Sequence, residues 1–449
     1  MPYQPTPLRK TIFLLLMLYG FSVYAGGAEQ HAEMEHPERK PFKDTDEMTT
    51  KPEFTARERQ EGFLATSWGS AYFRLSPQRG FELTFDEYPF TLKVGGRLYL
   101  DIVHYFNDKN HLGDNGIGMR TLQVDMTGKL SQNWGYRFSL AGFTSGGRVD
   151  AAGVALDDAF FRYLGFDRTV VTIGQQTEPF SLEQMTSSLN MTFMERALPN
   201  AFAPGSTLGV SVATGGEKWF VMGGFFSRQL SEAKDQGSLG RGFTGYLSAT
   251  PLQHETGVIH AGASFSYRNV GEQKKIFFRS RPESGITDIR YVNTGVIPGT
   301  KSLLRWGLDV VAIAGPWSLQ AEYIDTTVMR KGDFDTVGFH GWYTYLSWFP
   351  TGESRKFLKN GIFGKIEPVH DYGAVELAAR YSSIDLTDRD ITGGTERNVT
   401  FGINWYLHRQ FRIMLNYIFV DTDANADDNG AVQGNDNPHI LQMRFQANI

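Results

Sequence analysis

Arginines recur on one face of the alternating segments that make up most of this chain. Where apolar and polar residues alternate along an extended chain, side chains two positions apart share a face. By that rule the polar face carries eight arginines: Arg97, Arg137, Arg162, Arg268, Arg305, Arg380, Arg412 and Arg444. A guanidinium stays charged and donates two parallel hydrogen bonds to an oxyanion. The spacing therefore predicts a surface that can bind small oxyanions.

Two further sets of charges bear on that prediction. A connecting segment adds a second basic group, made of Arg268, Lys274, Lys275, Arg279, Arg281 and Arg290. A basic entrance draws anions inward, and its effect weakens as salt rises. Acidic residues share the polar face with the arginines: Asp101, Asp125, Asp158, Asp309, Glu322 and Glu376. Because arginines in such places are often paired for structural reasons, the residue pattern alone leaves the sign of the preferred ion open.

The elements that must carry these side chains are β-strands. Sixteen alternating segments follow one another, and most reach the ~9–11 residues that a tilted strand needs to cross a bilayer. They span 93–106, 118–130, 134–143, 154–164, 168–175, 207–214, 217–227, 241–250, 257–268, 303–314, 316–326, 337–349, 373–384, 397–407, 411–421 and 438–449. An even strand number, with aromatics near the ends of the apolar faces, is typical of bacterial outer-membrane barrels. The sequence thus predicts an all-β fold, a 16-stranded antiparallel transmembrane β-barrel over residues 91–449.

The connections between these segments alternate in length, as they do in outer-membrane barrels. Short turns such as 131–133 and 408–410 fall on one side, and long loops such as 176–206 and 269–302 fall on the other. The segment 286–292 is assigned to a loop, since one more strand would put the two chain ends on opposite sides. The connection 350–372 breaks the rule, because a short turn is expected there.

The connection 176–206 is the third long-side loop, and we expect it to fold into the barrel and narrow its pore. Long connections without regular structure are usually functional. The candidate constriction residues are Glu178, Pro179, Phe180, Ser187, Ser188 and Glu195. The two serine hydroxyls can hydrogen-bond a dehydrated anion, and Glu195 beside Arg196 suggests attachment to the wall. Structural anchoring is favoured over a ligand role in both cases.

The N-terminal part of the chain has a different composition. Arg9 and Lys10 precede a short apolar run and Ala25, so residues 1–25 are predicted to be a secretory signal peptide. Residues 26–90 are predicted to be a partly disordered periplasmic extension, with a strand pair within 68–85. The chain has no cysteine, which excludes disulfides and thiolate metal sites, and its formal charge of -5 is too small to suggest a nucleic-acid partner.

Several short stretches together resemble a known family. They include GQQTEPFSLEQMTSS from Gly174, FMERALPNAFAPG from Phe193, KVGGRLYLD from Lys93 and ELAARYSSIDL from Glu376. In this order they resemble the phosphate-selective porin O and P family of Gram-negative outer membranes. The resemblance implies a homotrimer of sixteen-stranded barrels, an inward-folded third extracellular loop and passage of phosphate-type anions. It also implies pore-lining roles for five arginines: Arg97, Arg196, Arg279, Arg281 and Arg380.

The expected function is therefore an outer-membrane porin that passes small anions of phosphate or polyphosphate type by facilitated diffusion through an arginine-lined constriction. A less selective porin for sugars or carboxylates is the alternative, and an outer-membrane barrel enzyme is a more remote one, since no nucleophile motif is recognisable. The expected partners are small anions, outer-membrane lipid and two further copies of the chain, with no nucleic acid. No cofactor or metal is expected. The acidic segment 422–437 imitates a calcium loop but lacks its bidentate glutamate, so a solvated loop is favoured there over a calcium site.

Overall fold

The structure, a computed structural model, describes residues 64–68, 71–76, 80–85, 88–111, 116–145, 148–227, 240–254, 256–271, 275–358 and 360–448. The predicted signal peptide, residues 1–25, and most of the predicted extension lie outside these residues. None of the helices in the described part of the chain is long and apolar enough to cross a lipid bilayer.

Sixteen antiparallel strands close into a barrel, which confirms the predicted fold class. They are β4 (Thr91–Phe106), β5 (Gly116–Ser131), β6 (Trp134–Ser145), β7 (Arg148–Tyr163), β8 (Thr169–Thr177), β9 (Ser206–Gly215), β10 (Trp219–Phe226), β11 (Arg241–His254), β12 (Gly257–Asn269), β15 (Thr300–Ala314), β16 (Trp317–Arg330), β17 (Val337–Trp348), β18 (Ala374–Asp388), β19 (Ile391–His408), β20 (Phe411–Thr422) and β21 (His439–Asn448). The barrel closes where β21 pairs with β4, from His439 opposite Phe106 to Asn448 opposite Arg97.

A small sheet precedes the barrel and continues its wall. It consists of β1 (Leu64–Trp68), β2 (Ala71–Ser76) and β3 (Gly80–Phe85), which form an antiparallel meander. Strand β3 then pairs with the first residues of β4, from Thr84 opposite Thr91 to Phe81 opposite Val94. The strand pair predicted within 68–85 is present as β2 and β3, and the structure adds β1 before it and the pairing of β3 with the barrel strand β4.

The two faces of the wall have opposite polarity. On β19 the side chain of Phe401 is 51% exposed on the outside, whereas its neighbour Thr400 is 1% exposed on the inside. Aromatic side chains also lie at the end of the barrel that carries the short turns, where Trp317 stacks on Trp348 with ring centroids 5.3 Å apart. Since large exposed apolar side chains are stable against lipid tails and not against water, the outer face is a lipid-facing surface.

Three connecting segments lie against the inner face of the wall. Loop 3 (178–205) contains a one-turn helix, Leu182–Met185, and a 3-10 helix, Leu198–Phe202, that lies against β16, β17 and β18. Loop 5 (270–299) carries a two-residue strand pair, β13 (Arg279–Ser280) with β14 (Val292–Asn293), so the predicted loop segment 286–292 is not a barrel strand. Side chains of both loops share one apolar cluster with inward-facing wall residues; it includes Phe180, Phe202, Phe278, Tyr291, Phe339 and Ile418.

The third segment is the long turn (349–373), the connection whose length departed from the barrel pattern. Its aromatic residues Phe357 and Phe363 pack with Leu182 of loop 3 and with the wall residues Val258 and Val311. Part of the long turn therefore enters the barrel, because Phe357, Ile362 and Phe363 are buried against the inner wall. Its extra length is explained by this return into the interior.

Candidate pore and its constriction

Loop 3 turns into the barrel at a buried carboxylate. The pairing of β8 with β9 ends at Thr177 opposite Ser206, and Glu178 follows with no exposed surface. Its two oxygens accept hydrogen bonds from Thr207 at 2.7 Å and Thr244 at 2.6 Å, and they pair with Arg268. Three donors on three strands therefore fix the first residue of the loop.

A second carboxylate, from the wall, holds the one-turn helix of loop 3. Glu322 on β16 accepts from the Ser181 hydroxyl at 2.5 Å and from the backbone N–H of Leu182 at 2.8 Å. Ser181 also caps the helix, since its Oγ accepts from the backbone N–H of Gln184 at 3.2 Å. Backbone N–H groups at a helix start have no partner within the helix, so a carboxylate there is a stable anchor.

The far end of loop 3 is held by ion pairs. Glu195 accepts from Arg120 on β5 at 2.8 and 2.9 Å and from Arg444 on β21 at 2.7 Å. Burial by itself would raise the pKa of this carboxyl, but the two arginines lower it by a larger amount. The net pKa is about 2, compared with the ordinary value of 4.5. Arg444 is also paired with Asp101 at 2.7 Å. Glu195 is therefore an anchor, as the sequence suggested, and its wall partners are Arg120 and Arg444 rather than its neighbour Arg196.

Further wall arginines hold the loop by its backbone carbonyls. Arg412 donates to the carbonyl of Met191 at 2.7 Å, and Arg380 donates to the carbonyl of Glu195 at 3.0 Å. The amide of Asn404 donates to the carbonyl of Thr192 at 2.8 Å. The side chains of these three donors lie on the inner face of the wall, and the apolar residues next to them in the sequence lie on the outer face. Together with Arg120 on β5, these contacts fasten loop 3 to the inner wall on both sides of the seam where β21 pairs with β4.

Loop 3 and the long turn meet inside the barrel at Arg355. This side chain of the long turn donates to the carbonyl of Asn190 at 2.6 Å, to the hydroxyl of Tyr345 at 3.0 Å and to the hydroxyl of Thr192. In return the Asn190 amide donates to the carbonyl of Phe363 at 3.0 Å. Segments that enter from opposite ends of the barrel are therefore joined to each other.

Nine of the arginines predicted from the polar face, from the basic entrance and from the family resemblance divide into two groups by burial. Four are buried and held by ion pairs or ring contacts: Arg137, Arg268, Arg305 and Arg380. Five keep contact with solvent: Arg97, Arg162, Arg196, Arg279 and Arg281. The loop residues divide likewise. Glu178, Pro179 and Phe180 are buried, whereas Ser187, Ser188 and Glu195 are partly exposed.

The partly exposed face of loop 3 looks toward β4 to β7. Arg97 on β4 donates to the hydroxyl of Ser188 at 2.9 Å and lies 3.6 Å from Asp125. Arg196 donates to three carbonyls of its own loop, those of Glu183, Gln184 and Thr186, at 3.1 to 3.2 Å. Arg162 on β7 lies 4.5 Å from the ring centre of Phe160. The Arg97 guanidinium of the wall and the Ser188 hydroxyl of the loop therefore share this face, and Arg162 belongs to the wall at β7.

Two residues that strict alternation misses also belong to the interior. Arg120 is the extra residue of a β-bulge, since Tyr99 opposes Thr121 and Leu100 opposes Met119. Asp157 is the extra residue of a second bulge in β7, where its carbonyl accepts from Gln175 at 2.9 Å. A bulge shifts the alternation by one residue. A sequence can reveal such a bulge when strict alternation puts a charged residue on the lipid-facing side. Arg120 is an example, because it lies two residues before the outward-facing Leu122.

Loop 5 carries the predicted basic entrance. Arg279 lies 4.8 Å from the ring centre of Phe277 and is exposed, and Arg281 pairs with Asp288 at 3.3 Å. Lys274 lies outside the described residues. In the segment 422–437, Asp423 accepts from backbone N–H groups of its own turn, and among the described residues no group of three or more His, Cys, Asp or Glu side chains can hold a metal ion.

A closed sixteen-stranded barrel with a lipid-facing exterior, a polar inner wall and loops fastened to that wall defines an integral porin of the bacterial outer membrane. The sequence family described as phosphate-selective porin O and P matches residues 92–449. The chain belongs to this family. Its relatives include Porin O of Pseudomonas aeruginosa, which is 24% identical over 403 residues, covering 82% of this chain and 91% of that protein.

Another relative and two solved structures are also similar to this chain. A protein of Caulobacter vibrioides described as uncharacterized is 28% identical over 358 residues, which is 74% of this chain and 69% of that protein. The anion-selective porin from Comamonas acidovorans superimposes with a TM-score of 0.52 at 15% identity, covering 80% of this chain and 99% of that one. OmpF of Salmonella typhi gives the same TM-score at 10% identity, with 80% and 98% coverage. At these identities the structural comparisons establish the barrel fold alone.

Proposed function

We infer that this porin passes small anions of phosphate type by facilitated diffusion along the face shared by loop 3 and strands β4 to β7. The observation that carries the inference is the way charges are arranged there. Arg97, Arg162 and Arg196 keep contact with solvent, and the two carboxylates of loop 3 on this face, Glu183 and Glu195, are each engaged by at least one arginine. Rings of exposed arginine are one way in which proteins build anion pores.

The engaged carboxylates are those of Glu183 and Glu195. Glu183 lies 3.6 Å from Arg380 and accepts from the backbone N–H of Ala197 at 3.0 Å, while Glu195 is shared by Arg120 and Arg444. A carboxylate already surrounded by donors presents little negative potential to a passing ion. The partly exposed guanidinium groups of Arg97, Arg162 and Arg196 then supply positive potential along this face.

The preference for phosphate-type anions rests on the donor geometry and on the family. A guanidinium fork presents parallel N–H groups to tetrahedral or planar oxyanions, and the hydroxyl of Ser188 lies beside Arg97. The family to which the chain belongs is described as phosphate-selective. Together these features support phosphate over halide as the better-bound ion.

Phosphate block of chloride current in planar bilayers tests this proposal. We expect phosphate added to a chloride solution to reduce the single-channel current of the wild-type porin. Arg97→Gln should weaken the block, since it removes the guanidinium beside Ser188. The matched control is Arg389→Gln, an exposed arginine whose partner Asp335 is also exposed. Chloride current that phosphate leaves unchanged would remove phosphate preference.

A less selective porin for sugars or carboxylates is the second candidate, and one residue favours it. Asp157 is partly exposed and close enough to Arg97, Arg137 and Arg196 for their charges to interact. An available carboxylate among the arginines weakens anion preference. Equal permeation of chloride and potassium, with flux of uncharged sugars into proteoliposomes, would select this second function.

The porin is further proposed to act as a homotrimer, and the family resemblance is what supports this state. Native mass spectrometry of the purified porin in detergent tests it directly. A mass equal to three mature chains is the expected result, and a single-chain mass at concentrations where the barrel is folded would contradict it.

A further inference from the structure

A buried arginine away from the proposed passage has unused hydrogen-bond donors. Arg305 on β15 is 1% exposed, and its Nε and Nη1 have no hydrogen-bond partner among the described residues. Its guanidinium lies 6.0 Å from the ring centre of Phe278 in loop 5. No described carboxylate lies within ion-pair distance of it. A charged group in such surroundings is unstable unless something of opposite charge joins it.

The neighbours of Arg305 on the inner wall are also donors. Arg305 stands directly opposite Thr326 on β16, so their side chains are adjacent on the same face. Thr326 has no exposed surface, and its hydroxyl likewise has no partner in the described part of the chain. On the other side, Arg268 of β12 is one diagonal position away, since it opposes Leu303. Arg268 is also fully buried, and its Nε is unpartnered within the described residues.

Glu178 is the carboxylate that serves this region, and its oxygens are already in use. They accept from Thr207 and Thr244 and pair with Arg268. Two buried guanidinium groups therefore share one carboxylate, whose contacts are with Arg268, Thr207 and Thr244 and not with Arg305. The site has a surplus positive charge and at least three free donor groups on three adjacent strands.

From this arrangement we propose that the porin holds one small inorganic anion of halide size, occluded behind loops 3 and 5. Arg305 and Thr326 donate to the anion directly, and Arg268 contributes the second positive charge. Phe278 and Phe180 belong to the apolar cluster that covers the inner wall here, so the anion is sealed from the proposed passage. It is a resident ion that fixes the loops to the wall, and it is not transported.

The binding test uses unfolding of the purified porin in detergent at constant ionic strength, with chloride replaced stepwise by gluconate. A ligand that binds the folded state raises the midpoint of unfolding with the logarithm of its concentration. We expect this rise for the wild-type porin and its loss in Arg305→Met. Arg389→Met is the control, because the Arg389 side chain is half exposed and its partner Asp335 is exposed too, and it should keep the chloride dependence.

Crystals soaked in bromide give the direct readout. An anomalous peak beside the Arg305 guanidinium and the Thr326 hydroxyl is expected, and it should be absent in Arg305→Met. Water alone at this position, together with equal stability in chloride and gluconate, would overturn the proposal. Neither readout depends on ion selectivity, so a cation-selective passage would refute the proposed function and leave this inference standing.

Discussion

The anchor at Glu195 can be removed by Glu195→Gln, which replaces one carboxylate oxygen by an amide NH2 group. The substitution keeps the shape of the side chain and removes the charge that Arg120 and Arg444 share. Arg444 retains Asp101, whereas Arg120 is left without an ion-pair partner among the described residues. Removing one partner of a fully buried pair costs about 3–5 kcal/mol, and this pair, whose side chains are 27% and 17% exposed, is expected at the lower end of that range.

The pKa of Glu195 gives a second, independent magnitude. A carboxyl whose pKa falls from 4.5 to about 2 on folding contributes roughly 3 kcal/mol at neutral pH, at about 1.4 kcal/mol per pKa unit. Because the folded-state pKa is the lower one, this contribution is complete above pH 4.5. It is lost as the pH falls from 4.5 toward 2. Both estimates therefore place the anchor near 3 kcal/mol.

Hydrogen–deuterium exchange of loop 3 measures this anchor locally. The amides of Met194, Ala197 and Leu198 donate to Asn416, Glu183 and Ser382, so they exchange when this part of the loop opens. A loss of about 3 kcal/mol speeds exchange by roughly a hundredfold. We expect that acceleration in Glu195→Gln at pH 7, and a shrinking difference from wild type as the pH is lowered below 4.5.

The control is Glu367→Gln. Glu367 pairs with Arg409 at 3.2 Å, but both side chains are more than half exposed, and surface pairs of this kind contribute little. Exchange in this variant should match wild type. If Glu195→Gln also matched wild type, or if its effect were unchanged from pH 7 to pH 3, the ion-pair account of the anchor would be refuted.

Three further substitutions test other parts of the interior. Arg355→Met should loosen the junction of loop 3 with the long turn and add brief closures to single-channel records, whereas Arg409→Met, at an exposed pair, should not. Gly174→Ala should lower the free energy of unfolding in urea by about 1–3 kcal/mol, because Gly174 has a φ of +132° and a Cβ there overlaps β7. Gly338→Ala should leave the free energy of unfolding unchanged, because a Cβ at Gly338 meets no atom. Asp157→Asn should move the reversal potential toward the value of an anion-selective channel, since it removes a partly exposed negative charge.

The strands could be predicted because lipid and water impose opposite demands on neighbouring residues. On β19 the alternation of Phe401 and Ile403 with Thr400 and Asn404 is uninterrupted, and its predicted position lies within the observed strand. The alternation also placed Arg444 correctly on the inner face. Such a pattern predicts the fold because each residue of a spanning strand faces either lipid or the barrel interior, and its polarity must match that surrounding.

The interior could be predicted less completely, for two physical reasons. The bulges at Arg120 and Asp157 shift the alternation by one residue, and nothing in a two-residue period shows where an extra residue is inserted. The partners of loop residues are set by contacts between distant parts of the chain, such as Arg355 with Asn190 or Glu195 with Arg444. Residue types suggested that loop 3 is anchored, but they did not indicate to which strands.

The most direct test of the central claim is the reversal potential of single channels under a chloride gradient, compared between the wild-type porin and Arg97→Glu. Partly exposed guanidinium groups beside loop 3, such as that of Arg97, are proposed to set the preferred ion. The wild-type potential should then lie on the anion side of zero, and the substitution should move it toward the cation side. A wild-type potential on the cation side, or one that Arg97→Glu does not move, would contradict the account.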